Sequence, residues 1–429
     1  MIKYKVEIRI LINITEECSR QVSNRLMFIY FANILLVIVW ALIFCRGNIL
    51  HMDDRNKRSE RTRLKRTIFM VLCFAQCFFI VAVRKRVGWD YWMYSQGFID
   101  IYHAPFSDFG YLGWEKGYIL LNKLVAAFTS HGHMLFAAAA FLSLIGPFYM
   151  IWKYSKNEFL SVFLYLNLSF LYMDMNYMRQ SIALSIICFS YPFIRDKKFW
   201  RFLLIVIAAA FFHKSALYMI PVYFVLLLKA DWKAFVLYMS GLAAGLITSK
   251  WVVNFILQKL NSDYLGSRFI ENGISWYYGI FVLVFCCGFF LMIPFLKKKP
   301  RTVQISVHFA LLTFVWQAIM LKHSLLERFS FYSLIFLLVA LPECLYVFEK
   351  RYKKQCRVKA GDLTYENGKA GTVAAVKAER ATMYICVGVL VLMWCYNAVC
   401  LVYPPEGCHG IKPYDVMYNY GVSRFLKLF

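Results

Sequence analysis

Residues 176–218 read NYMRQSIALSIICFSYPFIRDKKFWRFLLIVIAAAFFHKSALY. An apolar run follows Arg179, a basic turn (Arg195, Asp196, Lys197, Lys198) interrupts it, and a second apolar run ends at His213 and Lys214. At a rise of about 1.5 Å per residue, two helical arms of this length are each roughly 20 Å long. The pattern predicts a helical hairpin that leaves Arg179 and returns to His213, so both residues finish at similar depth on the same side. The arms are apolar enough for lipid, where an arginine and a titratable imidazole are costly unless used.

The rest of the chain extends that reading. Of its 429 residues 61% are hydrophobic and 17% charged, against about 25% charged in a soluble protein. The mean hydropathy is +0.54. Apolar runs of near-membrane length recur throughout, and unpaired backbone cannot face lipid, so the runs predict helices and not barrel strands. The fold class is an all-α polytopic integral membrane protein forming a single membrane domain over 1–429. The formal charge of +25 sits mostly in loops, where it sets topology, and does not indicate nucleic acid. None of the thirteen cysteines falls in a CxxC pair, so neither a metal site nor a disulfide framework is expected; most read as small apolar packing residues. Glu7, Glu16 and Glu17 mix with Lys3, Lys5 and Arg9 ahead of the first apolar run, unlike a cleavable signal peptide.

Roughly twelve spans are expected, at 27–45, 67–83, 134–152, 159–173, 181–194, 201–212, 215–229, 234–250, 276–296, 303–321, 330–348 and 383–403; the shorter ones fall below the usual minimum of about 17 residues. Basic clusters at 46–66, 153–156, 195–201, 297–301 and 350–380 go to the cytoplasmic side by the positive-inside rule. Both termini, Arg84–His133, the 176–180 turn, His213–Ser215, 251–275, Lys322–Arg328 and the tail then face outward. Arg84, Lys85 and Arg86 fall outside against the rule, either as a functional exception or because the second span is mis-set. The polar, basic 349–381 segment reads as a flexible cytoplasmic loop.

The outward segments carry the chemistry. Arg86-Val-Gly-Trp-Asp-Tyr-Trp-Met-Tyr94 combines a cation, Asp90 and four aromatics. Gly88 allows a tight turn. Trp89, Tyr91, Trp92 and Tyr94 suit either an interfacial anchor or a platform for sugar rings; an anchor has no need of Asp90. Trp114-Glu-Lys-Gly-Tyr-Ile-Leu-Leu-Asn122 places Glu115 before a half-length apolar helix over about 117–130, interfacial or re-entrant. Glu115 suits capping of that helix as well as catalysis. Arg179, followed by Gln180, opens a helix against its dipole, so another interaction is expected to hold it: its planar guanidinium suits bidentate phosphate binding, or it snorkels to lipid headgroups. His213 is a proton acceptor or a satisfied structural histidine. Leu326-Glu327-Arg328 adds a second outer arginine.

Arginines stabilise a diphosphate leaving group, a carboxylate or histidine deprotonates an attacking hydroxyl, and aromatics hold sugars. That set fits glycosyl transfer from a polyprenyl-diphosphate donor. No GxxxxGK[ST] phosphate loop occurs, which disfavours ATP or nucleotide-sugar chemistry. A lipid-linked-sugar flippase would need midplane charges and repeats; a sugar O-acyltransferase would also use a membrane histidine.

Four of these motifs together, Arg86-Val-Gly-Trp-Asp-Tyr…Tyr94, Glu115-Lys-Gly-Tyr-Ile-Leu-Leu-Asn122, Arg179-Gln-Ser-Ile-Ala183 and Phe212-His-Lys-Ser-Ala216, resemble the EpsG family of Wzy-like exopolysaccharide polymerases over about 67–230. The family often has Thr where Trp89 stands. The resemblance implies a bacterial inner-membrane enzyme with a helical bundle like that of GT-C glycosyltransferases, joining lipid-linked repeat units on the outer face in exopolysaccharide or capsule synthesis. It implies no cofactor and no metal. Its partners would be the polyprenyl-diphosphate oligosaccharide, membrane lipid, and a chain-length regulator and flippase of the same pathway. On it, Arg179, Arg86 and Arg328 would hold diphosphates, with Gln180, Tyr91, Tyr94, Tyr118 and Asn122 as further substrate contacts. His213, Glu115 and Asp90 would be the candidate bases.

Overall fold

The computed structural model describes residues 28–45, 49–53, 58–111, 113–260, 280, 283–284, 300–321, 326–359, 369–402 and 411. The helices in chain order are α1 (Phe28–Phe44), α2 (Glu60–Ala82), α3 (Tyr91–His103), α4 (Lys116–Ala126), α5 (His133–Tyr154), α6 (Glu158–Asn167), α7 (Phe170–Asn176), α8 (Met178–Cys188), α9 (Tyr191–Arg195) and α10 (Phe199–Ala210). A 3-10 turn over Lys214–Tyr218 leads into α11 (Met219–Leu226) and α12 (Trp232–Leu260). After them come α13 (Arg301–Met320), α14 (Glu327–Leu334), α15 (Leu337–Lys359) and α16 (Lys369–Val402).

Four helices among the described residues are long and apolar enough to cross a membrane, and a fifth span results if the bent pair α14–α15 counts as one. The other apolar helices are shorter, for reasons the residues supply. Ser169 takes a left-handed backbone (φ 65°) and parts α6 from α7. Pro192, at the start of α9, marks where α8 gives way. The expected 276–296 span lies outside the described residues apart from 280, 283 and 284. Where a flexible loop was expected, α15 continues to Lys359 and α16 already begins at Lys369, while 360–368 lie outside the described residues.

α5 is the centre of packing, with α2 on one side and α8 on the other. Pro147 sits inside α5 and lacks a backbone donor. Beside it, Gly146 N–H donates to Ser185 Oγ at 2.9 Å. A Cβ on Gly146 would stand 1.9 Å from the Ser185 carbonyl oxygen, so glycine is what lets α8 lie this close. That contact sets the depth of α8, and therefore of Arg179.

The hairpin ends divide the molecule. At one end, Arg58 and Arg66 both reach buried Glu158, with Arg58 also on Asp53. Asn157 caps α6, its Oδ1 accepting from Leu160 N–H at 2.8 Å. Arg301 Nη1 donates to Leu226 O at 2.6 Å. Lys153, near the end of α5, Lys156, just after it, and Arg195, the last residue of α9, lie at this basic end too, where they line one cavity with Thr302 and Glu343. At the opposite end, a smaller hydrophobic cluster of Tyr91, Tyr94, Phe98, Trp114, Tyr118, Phe136 and Met178 joins α3 and α4 to α5 and α8. The Arg84–Arg86 triplet follows the last turn of α2 at this end.

Candidate active site

The site grows from a backbone contact. Gly117 N–H donates to the Phe211 carbonyl at 2.9 Å, and a Cβ on Gly117 would fall 2.5 Å from that oxygen. The two motifs that contain Glu115 and His213 are thereby fixed against each other. Glu115 occupies the N-cap position of α4 but makes no side-chain cap hydrogen bond. Its carboxylate turns outward from its own helix instead. Oε2 accepts from Arg179 Nη1 at 2.7 Å; Oε1 lies 3.0 Å from His213 Nδ1 and accepts from Lys214 N–H at 3.2 Å. The two ends of the 176–218 hairpin meet through one carboxylate.

The electrostatics follow. Burial pushes Glu115 up, but the His213 hydrogen bond and charge, the Arg179 guanidinium and the Lys214 N–H together hold it down at about 2. It is ionised at any ordinary pH. Burial lowers His213 from its usual value and outweighs the Glu115 carboxylate, and the Arg179 and Arg328 charges lower it further. A neutral imidazole facing an ionised carboxylate carries its proton on Nδ1, which leaves Nε2 as an acceptor.

Arg179 is held on its other side as well. Its guanidinium lies 5.5 Å from the Trp114 ring centroid, and the Tyr94 hydroxyl lies against it. Its Nε is buried with no hydrogen-bond partner among the described residues. The Arg179 side chain keeps 20% of its exposure and His213 14%, against 7% for Glu115. The cation and the imidazole are the reachable members of the cluster, and the carboxylate is behind them.

Arg328 arrives from α14. Gln180 Nε2 donates to the Arg328 carbonyl at 2.7 Å, and the guanidinium lies over Tyr177 at 5.5 Å. Asp90 is in electrostatic reach of Arg328 and Arg179, though burial, the larger influence, raises it above the usual carboxylate range. Its loop is seated by Asn176, whose Oδ1 accepts from Asp90 N–H at 3.0 Å. Gly88, at φ 96°, packs where a Cβ would be 2.7 Å from the Met175 oxygen.

Other expected contacts are placed elsewhere. Arg86 is exposed and stacks on Trp92 at 5.6 Å, away from the Glu115 cluster. Arg84 is the buried cation of the triplet, over Phe136 at 4.9 Å. Tyr91 stacks on Phe136 at 4.8 Å and is buried. Tyr118 and Asn122 are fully buried, with Asn122 Nδ2 donating to Tyr118 O at 2.7 Å inside α4. Residues 91–103 form a helix, which turns Tyr91 and Tyr94 inward while Trp89 and Trp92 stay exposed, and Tyr118 and Asn122 belong to the buried face of α4. Gln180 supports the Arg328 backbone. Trp114, Asn176, Tyr177 and the Lys214 N–H were not given site roles from sequence, although each lies within three residues of one that was.

The residues matched by the family model complete the picture: 67–360 match the model of the EpsG family, more than half of the chain. The chain belongs to the EpsG family. The matched region contains every member of the cluster. No curated protein and no solved structure matches the chain. Among the described residues, one group has metal-ligand spacing, His51 with Glu349 and Glu379; it joins α15, α16 and the segment before Arg58, at the basic end and away from this site.

Proposed function

We propose that the chain is an exopolysaccharide polymerase, a glycosyltransferase that joins polyprenyl-diphosphate-linked oligosaccharide repeat units. EpsG membership supports an exopolysaccharide-related polymerase activity. The observation that carries the residue assignment is Glu115 joining Arg179 and His213 at 2.7 and 3.0 Å.

His213 Nε2 is the base. It takes the proton of an acceptor-sugar hydroxyl as the oxygen forms its bond to the anomeric carbon of the donor. The C–O bond to the diphosphate breaks, and the polyprenyl diphosphate leaves with the electron pair. Arg179 and Arg328 offset the charge that develops there; the Arg179 guanidinium keeps part of its surface exposed beside Glu115 and suits a phosphate oxygen. Glu115 is a positioning residue: its oxygens are engaged and its basicity is low, so it fixes the imidazole tautomer and steadies the imidazolium. Trp89 and Trp92, exposed beside this end, suit the sugars. Asp90 is the alternative base, and its raised pKa supports that role.

The site end lies opposite the basic end, so the positive-inside rule puts it on the outer face of the cytoplasmic membrane. The fold is read as a GT-C-like bundle whose shorter helices complete the twelve spans, in a single membrane domain. A chain-length regulator and a flippase of the same pathway are the partners. The test is purified protein incubated with a defined polyprenyl-diphosphate oligosaccharide and resolved on a gel. A ladder is expected from the natural chain and none from His213→Ala. A ladder of natural length from both His213→Ala and Arg179→Ala sinks the assignment. Lipid-linked units that pile up on the inner face of a deletion strain indicate a flippase instead.

A further inference from the structure

A sizeable cavity lies away from this site. It has a volume of about 1080 Å³ and lies at the basic end, where the last turns of α5, α9, the start of α13 and Glu343 of α15 come together. Lys153, Lys156 and Arg195 line it with a single carboxylate, Glu343. Those four side chains sum to a formal +2; Asp196, outside the lining, accepts from Arg195 Nε at 2.8 Å and leaves a formal +1 when counted with them. Glu343 is already engaged, accepting from Thr302 Oγ1 at 2.8 Å and facing Lys156 at 3.9 Å. Rings hold the cations in place: Lys153 lies 5.1 Å from the Tyr149 centroid, and Arg195 5.9 Å from that of Tyr154. Lys153 Nζ also donates to the Tyr149 hydroxyl at 2.7 Å.

A second hollow adjoins it. An apolar groove of about 310 Å³ runs between α2 and α5, lined by Val71, Phe74 and Ile145 among others. Tyr149 and Trp152 belong to both linings. Trp152 Nε1 donates to Thr67 Oγ1 at 3.0 Å, which ties this shared wall to α2. Val71 and Phe74 are one and nearly two turns further along α2 from Thr67, toward the middle of the bundle.

We propose that the cavity and groove are one binding site for an anionic phospholipid of the leaflet that meets the basic end. The phosphate sits among Lys153, Lys156 and Arg195, the glycerol lies against Tyr149 and Trp152, and an acyl chain follows the α2–α5 groove. Charge complementarity selects an anion, because each basic side chain near a headgroup phosphate adds to affinity and a zwitterionic lipid gains little net attraction. The groove selects an amphiphile, because a soluble phosphate leaves it uncovered. Basic pockets between membrane helices are suited to anionic headgroups on these grounds. The reading is independent of the polymerase chemistry at the other end.

The experiment is native mass spectrometry of the full chain in detergent, titrated with phosphatidylglycerol or phosphatidylethanolamine of identical acyl chains. One phosphatidylglycerol per chain is expected to be retained, at about tenfold or greater preference. Lys153→Ala with Arg195→Ala should bring that preference close to one. Lys153→Arg with Arg195→Lys should keep it, as should Lys350→Ala with Arg351→Ala, which removes two cations of α15 outside the cavity lining. Equal retention of the two lipids in the natural chain overturns the proposal. So does equal loss of preference in the Lys350 and Arg351 control, or loss in the charge-conserving pair. Glycerol 3-phosphate that displaces the lipid at equal concentration also overturns it, since the groove would then contribute nothing.

Discussion

Glu115 Oε1 and His213 Nδ1 lie 3.0 Å apart, although 98 positions of chain separate them. The pairing is maintained from two directions, by the Gly117–Phe211 backbone bond below it and by the Lys214 N–H beside it. Glu115→Gln keeps the shape of the side chain and removes its charge. The amide can present its NH₂ to the imidazole and so favour the wrong tautomer. Polymerising activity should fall about 10²-fold or more, while an unfolding temperature measured in detergent stays near the natural value. Activity within threefold of the natural chain (about 0.7 kcal/mol in barrier height) would mean that Nε2 is not the base.

The acid limb of the activity profile offers a test of sign. His213 acts when neutral, and burial lowers its pKa from the ordinary 6.5. The rate should therefore rise with pH, with a midpoint below 6.5. Glu115 raises the imidazole pKa, so Glu115→Gln should move the midpoint to lower pH. Arg179 and Arg328 lower it, so Arg328→Ala should move it to higher pH. Initial rates of ladder formation over a pH series report the shifts, and displacements opposite to these contradict the assignment.

Arg179 distinguishes charge from shape. A lysine there keeps the charge, but loses the planar fork that can bind Glu115 and an oxyanion together and weakens the stacking on Trp114. Arg179→Lys should reduce kcat by about 10²-fold, approaching the effect of Arg179→Ala. Near-natural kcat in the lysine variant, with KM alone raised, would indicate ground-state binding without leaving-group stabilisation.

Much of this was legible in the chain and some was not, for physical reasons. Two apolar arms of matched length around the Arg195–Lys198 turn had to bring Arg179 and His213 to one end, and they do. Which group would join them was not legible, because Glu115 carries signals for capping as well as for catalysis. The structure separates these readings: the side chain ignores its own helix and reaches across 64 and 98 positions. The 86–94 motif misled in detail. Its aromatics fall into two i, i+3 pairs, Trp89/Trp92 and Tyr91/Tyr94, but read as one platform the motif concealed the α3 helix, in which Tyr91 and Tyr94 are buried while Trp89 and Trp92 stay exposed. Arg86 and Arg84 are two residues apart, and only the local backbone decides which is buried. Arg86 has φ 59°, a conformation no periodicity argument predicts.

At the far end of the bundle, Glu158 is 1% exposed and accepts from Arg66 Nη1 at 3.0 Å and from Arg58 Nη2 at 3.1 Å. Glu158→Ala would leave two buried guanidinium groups with Asp53 as the remaining carboxylate. A loss of about 3–5 kcal/mol is expected for breaking a buried pair from one side. Thermal unfolding of the detergent-solubilised variant measures it. Arg58→Met combined with Glu158→Leu should recover part of the loss; no recovery would mean that Glu158 acts by packing.

Gly117 links stability to the site without touching the chemistry. Gly117→Ala puts a methyl 2.5 Å from the Phe211 oxygen, so the start of α4 must move away from the residues ahead of His213. Overpacking of this kind costs about 1–3 kcal/mol. The larger consequence should be on rate, since a displacement of about 1 Å can cost 10²-fold. Gly241→Ala is the matched control: a Cβ there meets nothing within 4 Å, and in the interior of α12 alanine should add about 0.5–1 kcal/mol of stability. Ladder formation and unfolding temperature are measured for both. The expected result is a strong loss of activity in Gly117→Ala at modest loss of stability, with Gly241→Ala fully active. If Gly117→Ala polymerises normally, the Gly117–Phe211 contact is not what holds Glu115 against His213.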